Sequence, residues 1–265
     1  MSQAASASRA ATLVLLRDRP GGGVETLLVQ RHRRSRFAGG DYVFPGGKLE
    51  ADDMPPDAER FCRGLGDPAV ERRLRAGMSA ADALGFGVGA IREAFEEVGL
   101  LLAYRRDGAL LRLDREDGDR FRAHRAACQV ANRAFFDLLR AEDLTLATDR
   151  LVYFAHWITP EENPIRFDTR FFAAPAPPGQ EPDPDGTEIV DARWLSPGEA
   201  LAARQRGEIS LRTPTVKNLE ILAEGQTTEA LLASLGRREV PTIRPRVLTV
   251  DGKPVPVLPG DPRWY

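Results

Sequence analysis

The sequence predicts an α+β fold, an α/β/α sandwich built on a mixed β-sheet. Three observations lead there. Apolar runs of strand length lie on both sides of an apolar helical stretch, the regular alternation of strand and helix that builds a parallel sheet is missing, and 265 residues with 42% apolar content can bury one large core. No internal repeat divides the chain. A single domain over residues 11–240 is expected, preceded by a disordered N-terminus at 1–10 and followed by an extended tail at 241–265.

ATLVLLR (11–17) and VETLLVQR (24–31) are aliphatic runs of strand propensity, and Asp18-Arg19-Pro20-Gly21-Gly22-Gly23 between them reads as a hairpin turn. DYVFPGG (41–47) is a short strand ending in a Pro-Gly-Gly turn. Residues 54–85 are rich in Ala, Arg and acids, with helical tracts near 56–64 and 67–76 each closed by a glycine, and read as a helical insertion. A helix over about 86–98 follows. Ile91, Phe95 and Val98 keep the i, i+4, i+7 spacing of a buried stripe beside Ala90 and Ala94, and Gly99 suits the left-handed position that ends a helix. A second helical pattern runs from Asp117 to Glu142, with Phe121, Val130, Phe135, Leu138 and Leu139 as its apolar positions.

LVYFAHWIT (151–159), RFDTRFFAA (166–174) and TEIVDARWL (187–195) read as strands, with Trp157 and Trp194 as core residues. Phe171 and Phe172 point to opposite faces, which leaves one of them free to line a cleft. The loop from Pro175 to Gly186 is long for a hairpin, and ordered loops of that length are often functional. Ser196-Pro197 supplies an N-cap and first helical residue, extra C-terminal helices follow near 214–224 and 228–237, and the proline-rich tail from Pro241 is extended.

A net charge of -2 gives no global drive toward nucleic acid or anionic membranes. No run reaches the ~20 apolar residues of a membrane span, and MSQAASASRA lacks the apolar core of a signal peptide, so a cytoplasmic location is expected. Cys62 and Cys128 have no companions at ligand spacing, which excludes a zinc site or disulfide framework and makes both small buried hydrophobes. His32, His124 and His156 form no ligand pattern, and GxSxG, GxGxxG and GxxxxGK[ST] motifs are absent from the sequence.

The chemistry concentrates in AIREAFEEVGLLL (90–102). Glu93 has Glu96 and Glu97 as its i+3 and i+4 neighbours, on the open side opposite the apolar stripe, and each like-charge pair costs a few tenths of a kcal/mol. Two readings explain the crowding: a solvated acidic face relieved by Arg92 pairing with Glu96, or a dication among the carboxylates. Hard oxygen ligands on one helical face suit Mg²⁺ or Mn²⁺, and the bare backbone of Pro45-Gly46-Gly47 can approach the same ion. Such a site favours attack of an activated water on a phosphoanhydride.

Gly47 followed by Arg92-Glu93-Ala94-Phe95-Glu96-Glu97-Val98-Gly99-Leu100 resembles the Nudix box, G-x5-E-x7-R-E-U-x-E-E-x-G-U, where U is apolar. The second half fits with Ala94 at the first U position. In the first half Asp53 replaces the glutamate, and 38 residues separate it from Arg92 where the pattern has seven. Loop-closure entropy grows only logarithmically with length, so turn and helix can still meet. An interrupted box with FPGG before it and RFDTRFF and ARWLSP after it is similar to the acyl-coenzyme A diphosphatase branch of the Nudix hydrolases.

The resemblance implies a Nudix-type sandwich in which Glu93, Glu96, Glu97 and the Gly47 carbonyl hold Mg²⁺ or Mn²⁺ and Arg92 fixes the glutamates. It also implies a further acid beyond the helix, for which Glu188 is the candidate. LLVQRHRRSRFAGGDYVFPGG partly resembles the coenzyme A signature of related diphosphatases through Arg31, Arg36 and Gly40, and Phe44 and Gly46 complete the expected substrate-binding set. The arginines offer planar bidentate donors for phosphate. Coenzyme A or an acyl-coenzyme A is the substrate this implies, a small-molecule nucleotide. A diphosphatase for ADP-ribose, a dinucleotide or another nucleoside diphosphate derivative, and a catalytically silent nucleotide-binding module, are the alternatives. The insertion reads equally as a lid, a homodimer contact or decoration.

Overall fold

The structure, a computed structural model, describes residues 6–64, 78–114, 116–250 and 253–264. Its main sheet is mixed. Strand β1 (Ser8–Asp18) lies at the centre and is shared by two partners along one edge. Its residues 16–18 pair antiparallel with β2 (Val24–Arg31), while residues 10–12 pair antiparallel with β4 (Gly46–Lys48), reached through the two-residue β3 (Tyr42–Val43). The split places the Gly46-Gly47 turn beside the middle of the sheet.

Along its other edge β1 runs parallel to β8 (Phe167–Pro175), which pairs antiparallel with β7 (Val152–Ile158). Strand β9 (Ile189–Leu195) lies antiparallel to β2. Outside this sheet, β5 (Ala103–Tyr104) and β6 (Thr145–Leu146) form a small antiparallel pair. Strand alternation divides β1 between two cores: Ala11, Leu13 and Leu15 enter one, Val14 and Leu16 the other.

The first core is closed by α1 (Ala80–Val98), α2 (Asp117–Val130) and α3 (Ala134–Ala141), the second by α4 (Pro197–Gln205), α5 (Thr213–Leu222) and α6 (Thr228–Leu235). This is the expected α/β/α sandwich. Helix α1 starts at Ala80, six residues earlier than the periodicity indicates, because Ser79 accepts the Asp82 N–H as N-cap. It ends as expected at Gly99, whose φ is 72°. Ser196 caps α4 in a reciprocal capping box with Glu199. Cys62 and Cys128 are buried, and burial pushes both thiols up to about 12.

Several expectations are corrected. The tract at 56–64 forms only a short 3-10 turn, Ala58–Phe61, preceded by another at Ala51–Asp53, and the tract at 67–76 lies outside the described residues. The long helix Asp117–Glu142 is two helices, since Ala131 leaves helical geometry at φ −152° and ψ 115°. Val130, at the end of the first, is 88% exposed, whereas Phe135, Leu138 and Leu139 re-enter the core after the break. Phe171 and Phe172 are both buried, in opposite cores, so neither lines a cleft. The first strand begins at Ser8, within the expected disordered N-terminus, of which residues 1–5 lie outside the described residues, and the extended tail contains strands. Strand β10 (Thr242–Ile243) joins β7 in the main sheet, and β11 (Arg246–Val250) pairs with β12 (Lys253–Val257) as a hairpin. Among the described residues, no helix is long and apolar enough to cross a membrane.

Candidate active site

Helix α1 lays its apolar stripe on the first core, and its last turns run past the Gly46-Gly47 turn of β4. The carboxylates are not on an open face. Glu97 is buried, and the side chains of Glu93 and Glu96 keep only 15% and 13% exposure. The solvated acidic face is therefore overturned: the sequence periodicity gives the side of the helix, but β4, β2 and the loop before β9 cover that side too.

Arg92 holds the cluster together from below. Its Nε and Nη2 donate to the two oxygens of Asp53 at 2.6 and 3.2 Å, Nη1 donates to Glu96 at 2.8 Å, and Nη2 lies 3.1 Å from Glu93 and donates to the Lys48 carbonyl at 3.0 Å. Asp53 thus anchors the arginine despite its shorter side chain and the long insertion. It reaches because Gly89 on α1 leaves room: a Cβ there would stand 3.2 Å from the Asp53 carboxylate. Burial alone would lower the Arg92 pKa, and the Asp53 hydrogen bond with the charges of Glu93, Asp53 and Glu96 holds it above the usual arginine range instead.

At the upper edge, the Gly46 N–H donates to Glu97 Oε2 at 3.0 Å, and a Cβ on Gly47 would lie 2.5 Å from a Glu93 oxygen. A bare backbone is required at that approach. Arg31, at the end of β2, places Nη2 2.5 Å from Glu188 and Nη1 3.6 Å from Glu97. Glu188 is brought there by a backbone bond from the His32 N–H to its carbonyl at 2.7 Å, next to an irregularity in the β2–β9 register at Gln30 and Arg31. Bulges of this kind re-aim side chains beside active sites. Gly40, at φ 82°, closes the arginine loop by donating to the Arg31 carbonyl at 3.1 Å.

The electrostatics follow from burial. Desolvation pushes Glu93 up to about 7 against the pull of Arg92, with Glu96, Asp53 and Glu188 pushing in the same direction. Glu97 is raised well above the carboxylate range by burial and by Glu93, with Arg31 opposing. Glu96 is raised by burial. Burial thus favours the protonated form of all three acids, Glu97 most strongly.

Among the described residues, no three acid, histidine or cysteine groups already converge as a ligand cluster. Arg92 bridges Glu93 and Glu96, and Arg31 lies between Glu97 and Glu188. The donor set nevertheless fits a hard dication: Glu96 Oε1 is buried without a hydrogen-bond partner among the described residues, the carboxylates offer oxygen ligands, and the Gly47 backbone lies against Glu93.

The structure thus brings together Arg92, Glu93, Glu96, Glu97, Glu188, Arg31, Gly46 and Gly47. It does not bring in two of the remaining residues. Phe44 is 3% exposed and packs in the second core, so its expected substrate contact is corrected: β-alternation turns the ring away from the turn that follows it. Arg36 is exposed on the loop and has no side-chain partner among the described residues. A residue absent from the expected set is Arg125 of α2, which donates to the carbonyls of Glu96 and Glu97, and no local motif marks it. A cavity of about 610 Å³ lies elsewhere, lined by Asp18, Val152, Pro175, Thr228 and Leu232 among others, and contains none of the expected site residues.

Comparison with known proteins places the chain in a family. The family profile described as "NUDT19 Nudix domain" matches residues 3–222. The acyl-coenzyme A diphosphatase NUDT19 of Homo sapiens is 31% identical over 92% of this chain and 73% of its own length. That of Xenopus laevis is 26% identical over 89% and 70%. A NUDIX hydrolase from Alicyclobacillus acidocaldarius superposes with a TM-score of 0.71 at 27% identity, covering 87% of this chain and 97% of that one. With a buried acidic helix at a Gly-Gly turn and a family match over most of its length, the chain belongs to the NUDT19 Nudix-domain family and is a diphosphatase of the Nudix hydrolase superfamily.

Proposed function

We propose that the chain hydrolyses a nucleoside diphosphate-linked small molecule with the help of a divalent cation, Mg²⁺ or Mn²⁺. Coenzyme A or an acyl-coenzyme A is the favoured substrate, giving 3′,5′-ADP and (acyl-)4′-phosphopantetheine. The observation that carries the reading is the meeting of Glu93, Glu97, Glu188 and Arg31 at the Gly46-Gly47 turn. The names of the human and Xenopus relatives support the coenzyme A class.

Glu93, Glu96, Glu97 and the Gly47 carbonyl would hold the cation, which when bound neutralises phosphate charge and makes a water more acidic. Arg92 keeps the carboxylates in place from the buried side. Glu188, half exposed at the rim, accepts the proton of the attacking water. A new P–O bond forms as the bridging P–O bond breaks, and the electron pair leaves with the departing phosphate. Arg31 presents a planar donor to the phosphate oxygens, and Arg36, exposed on the loop outside the cluster, is proposed to reach them from there. Gly40 and Gly46 leave the backbone open around them.

A substrate panel tests this. Coenzyme A, an acyl-coenzyme A, ADP-ribose and a dinucleotide are incubated with Mg²⁺ or Mn²⁺ and the products identified by mass spectrometry. We expect the coenzyme A compounds to be cleaved fastest, and Glu97→Gln to lower kcat by about a hundredfold or more without unfolding the protein. Preferential cleavage of ADP-ribose would remove the coenzyme A assignment. Near wild-type turnover by Glu97→Gln would remove the site.

A further inference from the structure

We infer that Arg125 is a positioning residue that fixes the acidic helix against the loop carrying Glu188; the inference rests on the reading that these carboxylates perform the chemistry. The last carbonyls of a helix lack partners within it, and they form the negative end of its dipole. In α1 that end also carries Glu93, Glu96 and Glu97. Arg125, 7% exposed on α2, meets the need with one guanidinium: Nε donates to the Glu96 carbonyl at 2.9 Å and Nη2 to the Glu97 carbonyl at 2.7 Å. Gln129, one turn further along α2, donates to the Glu96 carbonyl at 2.8 Å.

The third arm of the fork points elsewhere. Nη1 donates to the Asp183 carbonyl at 2.7 Å and lies 3.5 Å from the Asp183 carboxylate. The Asp183 N–H donates to the Val98 carbonyl at 2.9 Å and closes the same junction. From there to Glu188 the loop is hydrogen-bonded to itself. Asp185 Oδ1 accepts the N–H groups of Thr187, Glu188 and Ile189 at 3.0, 3.0 and 2.8 Å. On the other side of Asp183, Gln180 binds the Leu101 N–H at 2.9 Å and the carbonyls of Leu101 and Leu111 at 3.1 and 2.8 Å.

The guanidinium fork thus joins the end of α1 to the Glu188 loop, beside the Asp183–Val98 and His32–Glu188 backbone bonds. Among the described residues, Arg125 binds backbone carbonyls and Asp183, so it acts through other residues. A lysine would keep the charge, but its single nitrogen cannot serve three carbonyls spread around a guanidinium plane. Small misplacements of catalytic groups are costly, up to about a hundredfold in rate for 1 Å.

The test compares Arg125→Lys with wild type, and both again in a Glu188→Gln background, with hydrogen exchange followed at 95–100 and 183–189. We expect Arg125→Lys to fold, to lower kcat by roughly tenfold to a hundredfold with KM changed less than about twofold, and to exchange faster in both segments. In the Glu188→Gln background the same change should cost less than about twofold more, because the positioned group is already gone. A lower melting temperature with unchanged kcat per folded molecule would overturn the inference, as would full additivity with Glu188→Gln. If wild type cleaves no diphosphate, the functional reading fails by itself. The exchange comparison then still decides the clamp, and acceleration in neither segment or in only one rejects it.

Discussion

Arg92 is 2% exposed, yet it is charged, and it is tolerable there only because its donors meet Asp53, Glu93, Glu96 and the Lys48 carbonyl. Asp53, 1% exposed, is its closest partner, and removing one side of a buried ion pair costs about 3 kcal/mol or more. Asp53→Asn should therefore lower stability by about 3 kcal/mol in urea unfolding. A loss below about 0.5 kcal/mol would mean that Glu93 and Glu96 carry the arginine unaided. The glutamates themselves were legible, because i+3 and i+4 spacing assigns a helix side without any tertiary knowledge. Their burial was not, since it comes from Gly46, Arg31 and Glu188, which lie far away in sequence. Phe44 was misread because an apolar residue beside a glycine turn has the same local pattern whether it faces a ligand or a core. Arg125 could not be read at all: its partners are backbone carbonyls, which leave no mark on residue type.

At the scale of elements, strands were read well where a run of β-branched and aliphatic residues adjoins a glycine turn, as in VETLLVQR, which follows Gly21-Gly22-Gly23 and coincides with β2. The helix break at Ala131 was missed because the apolar positions on either side continue a helical count. Strand β10 was missed because its two residues acquire strand geometry from β7 rather than from their own propensity. His156 makes that docking testable. Its Nδ1 meets Thr242 Oγ1 of β10 at 2.8 Å, while Nε2 faces Asp168 at 2.7 Å and Arg170 at 2.6 Å. Burial, with the charges of Arg170 and Arg244, holds the imidazole down to about 4. The unfolded imidazole titrates near ~6.5, so the folded state binds fewer protons in between, and stability should fall as pH drops from ~6.5 toward about 4. Glu93, held up to about 7, contributes the opposite slope, but equally in a His156→Asn variant. Melting temperatures across this range should fall less steeply on acidification in the variant than in wild type. Parallel curves would show that His156 is not held neutral.

For the whole molecule, the class of fold followed from strands placed on both sides of a helix without regular alternation. What no local pattern discloses is the division of β1 between β2 and β4, because those pairings join distant segments. That division matters most for function: it sets the Gly46-Gly47 turn under α1, where Glu93, Glu96 and Glu97 lie. The central claim is that these three acids together hold a divalent cation. It is tested most directly by crystals soaked in Mn²⁺ and measured for anomalous scattering at the manganese edge. We predict a peak with oxygens of Glu93, Glu96 and Glu97 within roughly 2.2 Å. Absence of a peak there, with the carboxylates still paired to Arg31 and Arg92, would contradict it.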